Sequence, residues 1–238
     1  MSPLKSLHAV PLLMSPLIAG AGTIEIFGLR DNPRVEFRFL HLNVDMGPVT
    51  TSASYEARSN HNGSAASGPC SFLASPNEFR IGSGGWYGAV QPPGGRASGS
   101  LDCAMSVELN LSPTAGEFRP PFMYPNFVVA TRADFDPQVE TADYAWNLSA
   151  LLTWPGGAQR EFRESQSHHC GADDPSSNSF SCRKSFDDTG GSVGARFGPL
   201  RLDLAIHLDF DLRAVSEPSP LALLALGLVP VALRTRRS

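Results

Sequence analysis

Apolar and polar residues alternate with a period of two along most of this chain, and the clearest run lies between residues 196 and 213. Leu200, Leu202, Leu204, Ile206, Leu208, Phe210 and Leu212 fall on one face, while Arg201, Asp203, His207, Asp209, Asp211 and Arg213 fall on the other. Successive side chains of a strand point to opposite faces, so this pattern predicts a strand whose sheet is buried on one side and wet on the other. Residues 98–112 repeat it, with Leu101, Cys103, Met105, Val107, Leu109 and Leu111 on the apolar face. Shorter strands are predicted at 23–29, 51–58, 127–135, 144–154 and 159–163. Turns are predicted at Asp31-Asn32-Pro33, at Pro155-Gly156-Gly157 and at residues 187–191.

Residues 35–46 read as one long strand with a flaw. The apolar set Val35, Phe37 and Phe39 changes phase to Leu40, Leu42, Val44 and Met46, as a β-bulge near Phe39-Leu40 would produce. Residues 59–68 are small and polar and read as a loop, as do residues 113–125, broken by Pro120-Pro121. Between Cys70 and Gly99 the aromatic residues Phe72, Phe79, Trp86 and Tyr87 alternate with Gly- and Pro-rich breaks, the pattern of short or edge strands. No stretch of the body shows a helical period. The fold class expected is all-β: a single antiparallel β-sandwich or jelly-roll-like domain over residues 23–214, of roughly ten strands.

The two ends differ from the body. Residues 1–22 carry Lys5, an apolar stretch from 9 to 18 and the small residues Ala19-Gly20-Ala21-Gly22, the three-region pattern of a secretory signal peptide. Residues 215–238 hold Ser216-Glu217-Pro218-Ser219, an uncharged apolar run over 221–233 and the basic end Arg234-Thr235-Arg236-Arg237. That order is a membrane stop with a positive-inside flank. Thirteen residues of helix rise only about 20 Å against a hydrocarbon core of about 30 Å, which suits a transient transmembrane stop better than a permanent anchor.

This tail resembles the PEP-CTERM sorting signal of Gram-negative bacteria, with Ser216-Glu217-Pro218 standing where the family has Pro-Glu-Pro. The resemblance covers roughly the last tenth of the chain. It implies a precursor tethered in the inner membrane, processing by the protease exosortase, and delivery to the cell surface or to an extracellular biofilm matrix rich in exopolysaccharide. The sorting-motif residues are then Ser216, Glu217, Pro218 and Ser219, and the basic tail is Arg234, Arg236 and Arg237.

Charge and cysteine content fit an exported body. The whole chain has a net charge of −4. Without Lys5 and the three tail arginines, 15 basic residues face 23 acidic ones, a net of −8 that argues against nucleic acid as a partner. Cys70, Cys103, Cys170 and Cys182 make an even number, which in an exported chain predicts disulfides. Cys170 and Cys182 bracket a polar stretch that buries nothing, so a local Cys170–Cys182 bridge is expected there. Cys70–Cys103 follows by exclusion.

Candidate chemistry is sparse. His168-His169-Cys170 is the densest group of potential ligands. Adjacent histidines on a strand point to opposite faces, however, so neither a metal site nor a cofactor is expected. No nucleophile elbow, His-Glu-x-x-His helix or phosphate-binding loop occurs. Trp86, Tyr87, Trp146 and Trp154 are read as core or edge packing, not as a sugar-stacking platform. The function expected is a non-enzymatic exported surface or matrix protein with a structural or adhesive body, extracellular polysaccharide being a possible partner. The alternative is a secreted carbohydrate-binding module or hydrolase delivered by the same tail.

Overall fold

A computed structural model describes residues 22–26, 33–83, 86–91, 94–134, 140–171, 181–189 and 193–214. Among them are fourteen strands and no helix: β1 (Gly22–Ile26), β2 (Arg34–Leu40), β3 (Leu42–Ser59), β4 (Gly63–Ser67), β5 (Cys70–Ser75), β6 (Glu78–Ser83), β7 (Trp86–Val90), β8 (Arg96–Pro113), β9 (Phe122–Asp134), β10 (Glu140–Thr153), β11 (Gln159–Cys170), β12 (Ser181–Thr189), β13 (Val193–Gly194) and β14 (Gly198–Ala214). The expectation of an all-β body holds across these residues. The predicted leader and the predicted tail helix lie outside them.

The long alternating stretches build a five-stranded antiparallel sheet in the order β11-β10-β14-β8-β3. Its central strand, β14, keeps unbroken register with β8 from Gly198↔Leu111 to Arg213↔Arg96, and with β10 from Thr153↔Arg201 to Glu140↔Ala214. Its even-numbered residues from Leu200 to Leu212 are buried, as the alternation predicts. The one irregularity in this sheet falls between Met46 and Val49, where Gly47-Pro48 shifts β3 against β8.

Short strands laid end to end build the other, nine-stranded sheet. Its path is β4-β7-β1-β9-β2-β6-β5, with β12 and β13 on the remaining edge of β9. β4 and β5 together form one arm of a hairpin and β6 and β7 the other. Their pairing runs from Gly63↔Val90 through Cys70↔Ser83 to Ser75↔Glu78 in a single register. β9 binds β1 and β2 on one side and β12 and β13 on the other.

The phase change near Phe39-Leu40 is not a bulge within one strand. His41 stands between β2 and β3 with φ of 62°, a left-handed backbone that redirects the chain from the nine-stranded sheet into the five-stranded one. Phe39 and Leu42 therefore face the same core from opposite sheets, which requires the switch in parity. Other boundaries also move. Residues 59–68 contain β4, β9 starts within the expected loop at Phe122, β11 runs on to Cys170, and β12 passes through Asp187-Asp188 where a turn was expected. The turn at Gly156-Gly157 is present, both glycines having positive φ.

One core lies between the sheets. Phe37, Phe39, Phe79, Ile81, Met123 and Phe127 enter it from the nine-stranded side and meet Leu101, Met105, Leu148, Leu204 and Ile206. Phe37 reaches across to Phe162 of β11, with ring centroids 6.1 Å apart. Phe210 occupies a slot between two glycines: a Cβ on Gly88 or on Gly99 would come within 2.7 Å of its ring. At the corner where β3 gives way to β4, the Asn60 side chain accepts from the backbone N–H groups of Asn62 and Arg96 and donates to the carbonyl of Gly94.

Candidate functional site

Alternation in β14 sends its charged residues to the outer face of the five-stranded sheet, where neighbouring strands supply their partners. His207 lies in register with Asp102 of β8, and Asp102 with Ser54 of β3. The His207 ring bridges two carboxylates, with Nδ1 2.6 Å from Asp102 Oδ1 and Nε2 2.7 Å from Asp209 Oδ2. Ser54 donates to the other Asp102 oxygen at 3.2 Å. Partial burial pulls the His207 pKa down, but the Asp102 hydrogen bond and the charges of Asp209 and Asp102 outweigh it, leaving the imidazole above its ordinary value.

Two rows further along the same face, Asp143 of β10 and Asp211 of β14 are register partners. Like charges directly opposite each other destabilise a sheet, and here each has a hydrogen-bonding partner of its own. Arg96 holds Asp211 in a bidentate grip at 3.1 and 2.9 Å, and Arg213 joins it from the adjacent position. Burial raises the Asp211 pKa, but these two guanidinium groups reverse the effect and hold it below the ordinary carboxylate value. Asp143 meets His169 Nδ1 at 2.6 Å. Asp143, Ser167, His169, Asp209 and Asp211 line a shallow depression of about 470 Å³.

The contacts described on this face are hydrogen bonds and ion pairs. A hydroxyl nucleophile needs an imidazole to take its proton. Ser54 bonds to Asp102, and the His207 ring is committed at both nitrogens. Asp102, Asp143, Asp209 and Asp211 each face a cationic or imidazole partner. Among the described residues, no group of three His, Cys, Asp or Glu side chains is placed to hold a metal ion.

The outer face of the nine-stranded sheet carries a second cluster. Glu36, only 3 % exposed, sits among three arginines. Arg34 and Arg38 approach it within 3.2 and 3.3 Å, and Arg80, its register partner on β6, within 3.8 Å. Arg38 also hydrogen-bonds to Tyr124 opposite it on β9, the leading reason its guanidinium pKa is raised. The cluster is legible afterwards in the sequence: Arg34, Glu36 and Arg38 alternate with Val35, Phe37 and Phe39. No single residue type marked it in advance.

The residues singled out from sequence fare differently. Ser216, Glu217, Pro218, Ser219, Arg234, Arg236 and Arg237 lie outside the described residues. Cys70 and Cys103 are joined, with Cα atoms 5.9 Å apart, and tie β5 of one sheet to β8 of the other. Cys170 is disulfide-bonded as well, while the Cys182 side chain lies outside the described residues. His168 packs 5.4 Å from the Tyr144 ring and His169 meets Asp143, so the adjacent histidines serve opposite faces. Trp146 is buried and stacked on Tyr144, and Trp154 lies under Arg196 beside the turn after β10. Tyr87 is on the other sheet, and the Trp86 side chain is outside the described residues.

These features define the class: an all-β protein of two antiparallel sheets, fastened across its core by a disulfide and carrying a charged, internally hydrogen-bonded face. Beyond the class the comparisons add nothing, for no family model, curated protein or solved structure matches this chain.

Proposed function

We propose that this chain is an exported surface or biofilm-matrix protein of a Gram-negative bacterium, carrying a PEP-CTERM-like sorting signal over residues 215–238. Its body is a β-sandwich between a cleavable signal helix and a C-terminal transmembrane helix. Exosortase processes or relocates it from the inner membrane, and the body then acts as a structural or adhesive module.

The observation that carries this reading is where β14 stops. The central strand of the five-stranded sheet ends at Ala214, whose N–H donates to the Gly95 carbonyl at 2.8 Å. The sorting motif begins two residues later, so cutting there leaves every described strand of the core in place. The Cys70–Cys103 bridge adds chemical support, because such bonds persist in oxidising compartments. A structural or adhesive body, in preference to a sugar-binding one, is supported by Trp146, which packs in the core and offers no ring to a sugar.

Mass spectrometry of cell-surface material tests the proposal. The expected C-terminus lies near Glu217-Pro218, with residues 221–238 absent. Recovery of the intact tail in the inner membrane, in cells that contain exosortase, would sink it.

A further inference from the structure

The strand β3 lies at the edge of the five-stranded sheet. Every residue from Asp45 to Asn60 is exposed, and among the described residues β3 pairs only with β8. One edge of its backbone and much of both faces are therefore open. Natural sheets blunt such edges with charges, prolines, bulges or short strands. The other described edges show these devices: β11 carries Arg160, Glu161, Arg163 and Glu164, β12 carries Arg183, Lys184, Asp187 and Asp188, and β4 and β5 are short and interrupted by Gly68-Pro69. β3 shows them only at its limits. Val49 to Tyr55 is seven residues without a charge, bounded by the Gly47-Pro48 irregularity on one side and Glu56 on the other.

That stretch is also symmetric about Ser52. We propose that two copies associate edge to edge through β3, antiparallel across a two-fold axis at Ser52, so that the five-stranded sheets of both copies become one continuous sheet. In this register Val49 lies opposite Tyr55, Thr50 opposite Ser54 and Thr51 opposite Ala53, each pair occurring twice. Aromatic against β-branched and hydroxyl against hydroxyl are favourable cross-strand pairs. Tyr55, now 63 % exposed, and Val49, 39 % exposed, would each gain an apolar neighbour. Pro48, which has no N–H to give, lies opposite Glu56, so both ends of the pairing close together. No like charges are opposed, and an isologous contact of this kind closes as a dimer without growing into a fibre.

Sedimentation of the full chain in mild detergent, across a wide concentration range, tests this. The expected species is a dimer that Ser52→Lys converts to monomer without changing the circular dichroism spectrum, its melting temperature matching that of the wild type at concentrations where the wild type is monomeric, since Ser52 is exposed and two lysines would meet on the axis. Ser52→Cys should give a dimer band that reducing agent removes, while Ser165→Cys on the opposite edge should not. A wild-type chain that stays monomeric, a dimer that survives Ser52→Lys, or cross-linking through Ser165→Cys and not through Ser52→Cys would each overturn the proposal.

Discussion

The two sheets share one core, yet they are built in different ways. In the five-stranded sheet, β8, β10 and β14 run 18, 14 and 17 residues, and their mutual registers never break. In the nine-stranded sheet only β9, with 13 residues, is long, and the rows beside it are pairs of short strands of 2 to 9 residues. An uninterrupted ladder holds itself, because each cross-strand pair supports the next. The shorter described strands of the nine-stranded sheet have further ties. Here they are the β9 strand common to its rows, the Cys70–Cys103 bridge to the other sheet and the Glu36 cluster on its outer face.

Removing the Cys70–Cys103 tie should separate the two behaviours most. Cys103 is buried and the bridge closes a loop with a sequence separation of 33. The chain-entropy estimate for that length is about 3–4 kcal/mol. The double change Cys70→Ala and Cys103→Ala should lower stability to urea by that order. In hydrogen exchange, the β4–β7 hairpin should open first while β14 and β10 stay protected. Equal loss of protection in both sheets would mean that the ladder of the five-stranded sheet is no stronger than its neighbour.

Next comes Glu36→Gln, which keeps the shape and deletes the charge that three arginines share. Hydrogen bonds to charged groups contribute about 1.5–3 kcal/mol. The arginines reach solvent and can rehydrate in part, so the lower end of that range is expected by thermal or urea unfolding. The loss should be specific to the nine-stranded sheet. Gly99→Ala probes the other side, since its Cβ would stand 2.7 Å from the Phe210 ring and 2.8 Å from the Glu56 carbonyl oxygen. Overpacking of this kind costs about 1–3 kcal/mol. A wild-type melting temperature for this variant would show that the slot is loose.

The same contrast explains what the sequence could reveal. Strict alternation in β14 and β8 predicted strand, face and burial together, because long strands with one wet side leave a period of two with little noise. The fragmented sheet left weaker marks. β4 is Gly-Ser-Ala-Ala-Ser, with no apolar residue large enough to show a face. Asp187-Asp188 read as a turn, although an edge strand such as β12 tolerates charge. A parity change at residues 39–42 has the same signature whether a bulge or a change of sheet causes it, and only the left-handed His41 backbone distinguishes the two. Cys70–Cys103 was anticipated by exclusion, from the local bridge expected between Cys170 and Cys182. The charged ladder of the five-stranded sheet was legible as a wet face, but the pairing of His207 with Asp102 depends on register, which periodicity does not encode.

The smallest expected effect is electrostatic and belongs to the five-stranded sheet alone. His207 has a raised pKa in the folded protein, so its contribution to stability is complete below about pH 6.5, the ordinary histidine value, and is lost as pH rises through the folded value. Asp211 has a lowered pKa, so its contribution is present above about pH 3.9 and is lost as pH falls through its folded value. Stability from this face should therefore be highest between those limits. Both groups are partly solvated, which keeps each contribution below about 1 kcal/mol and makes it sensitive to salt. Melting temperature against pH should decline on the alkaline side of pH 6.5, and His207→Gln should flatten that decline without altering the acid limb set by Asp211. Glu36→Gln should leave the alkaline limb as it is, since no titrating imidazole takes part in that cluster. An alkaline slope that persists in His207→Gln would assign it to another group and remove His207 from the account.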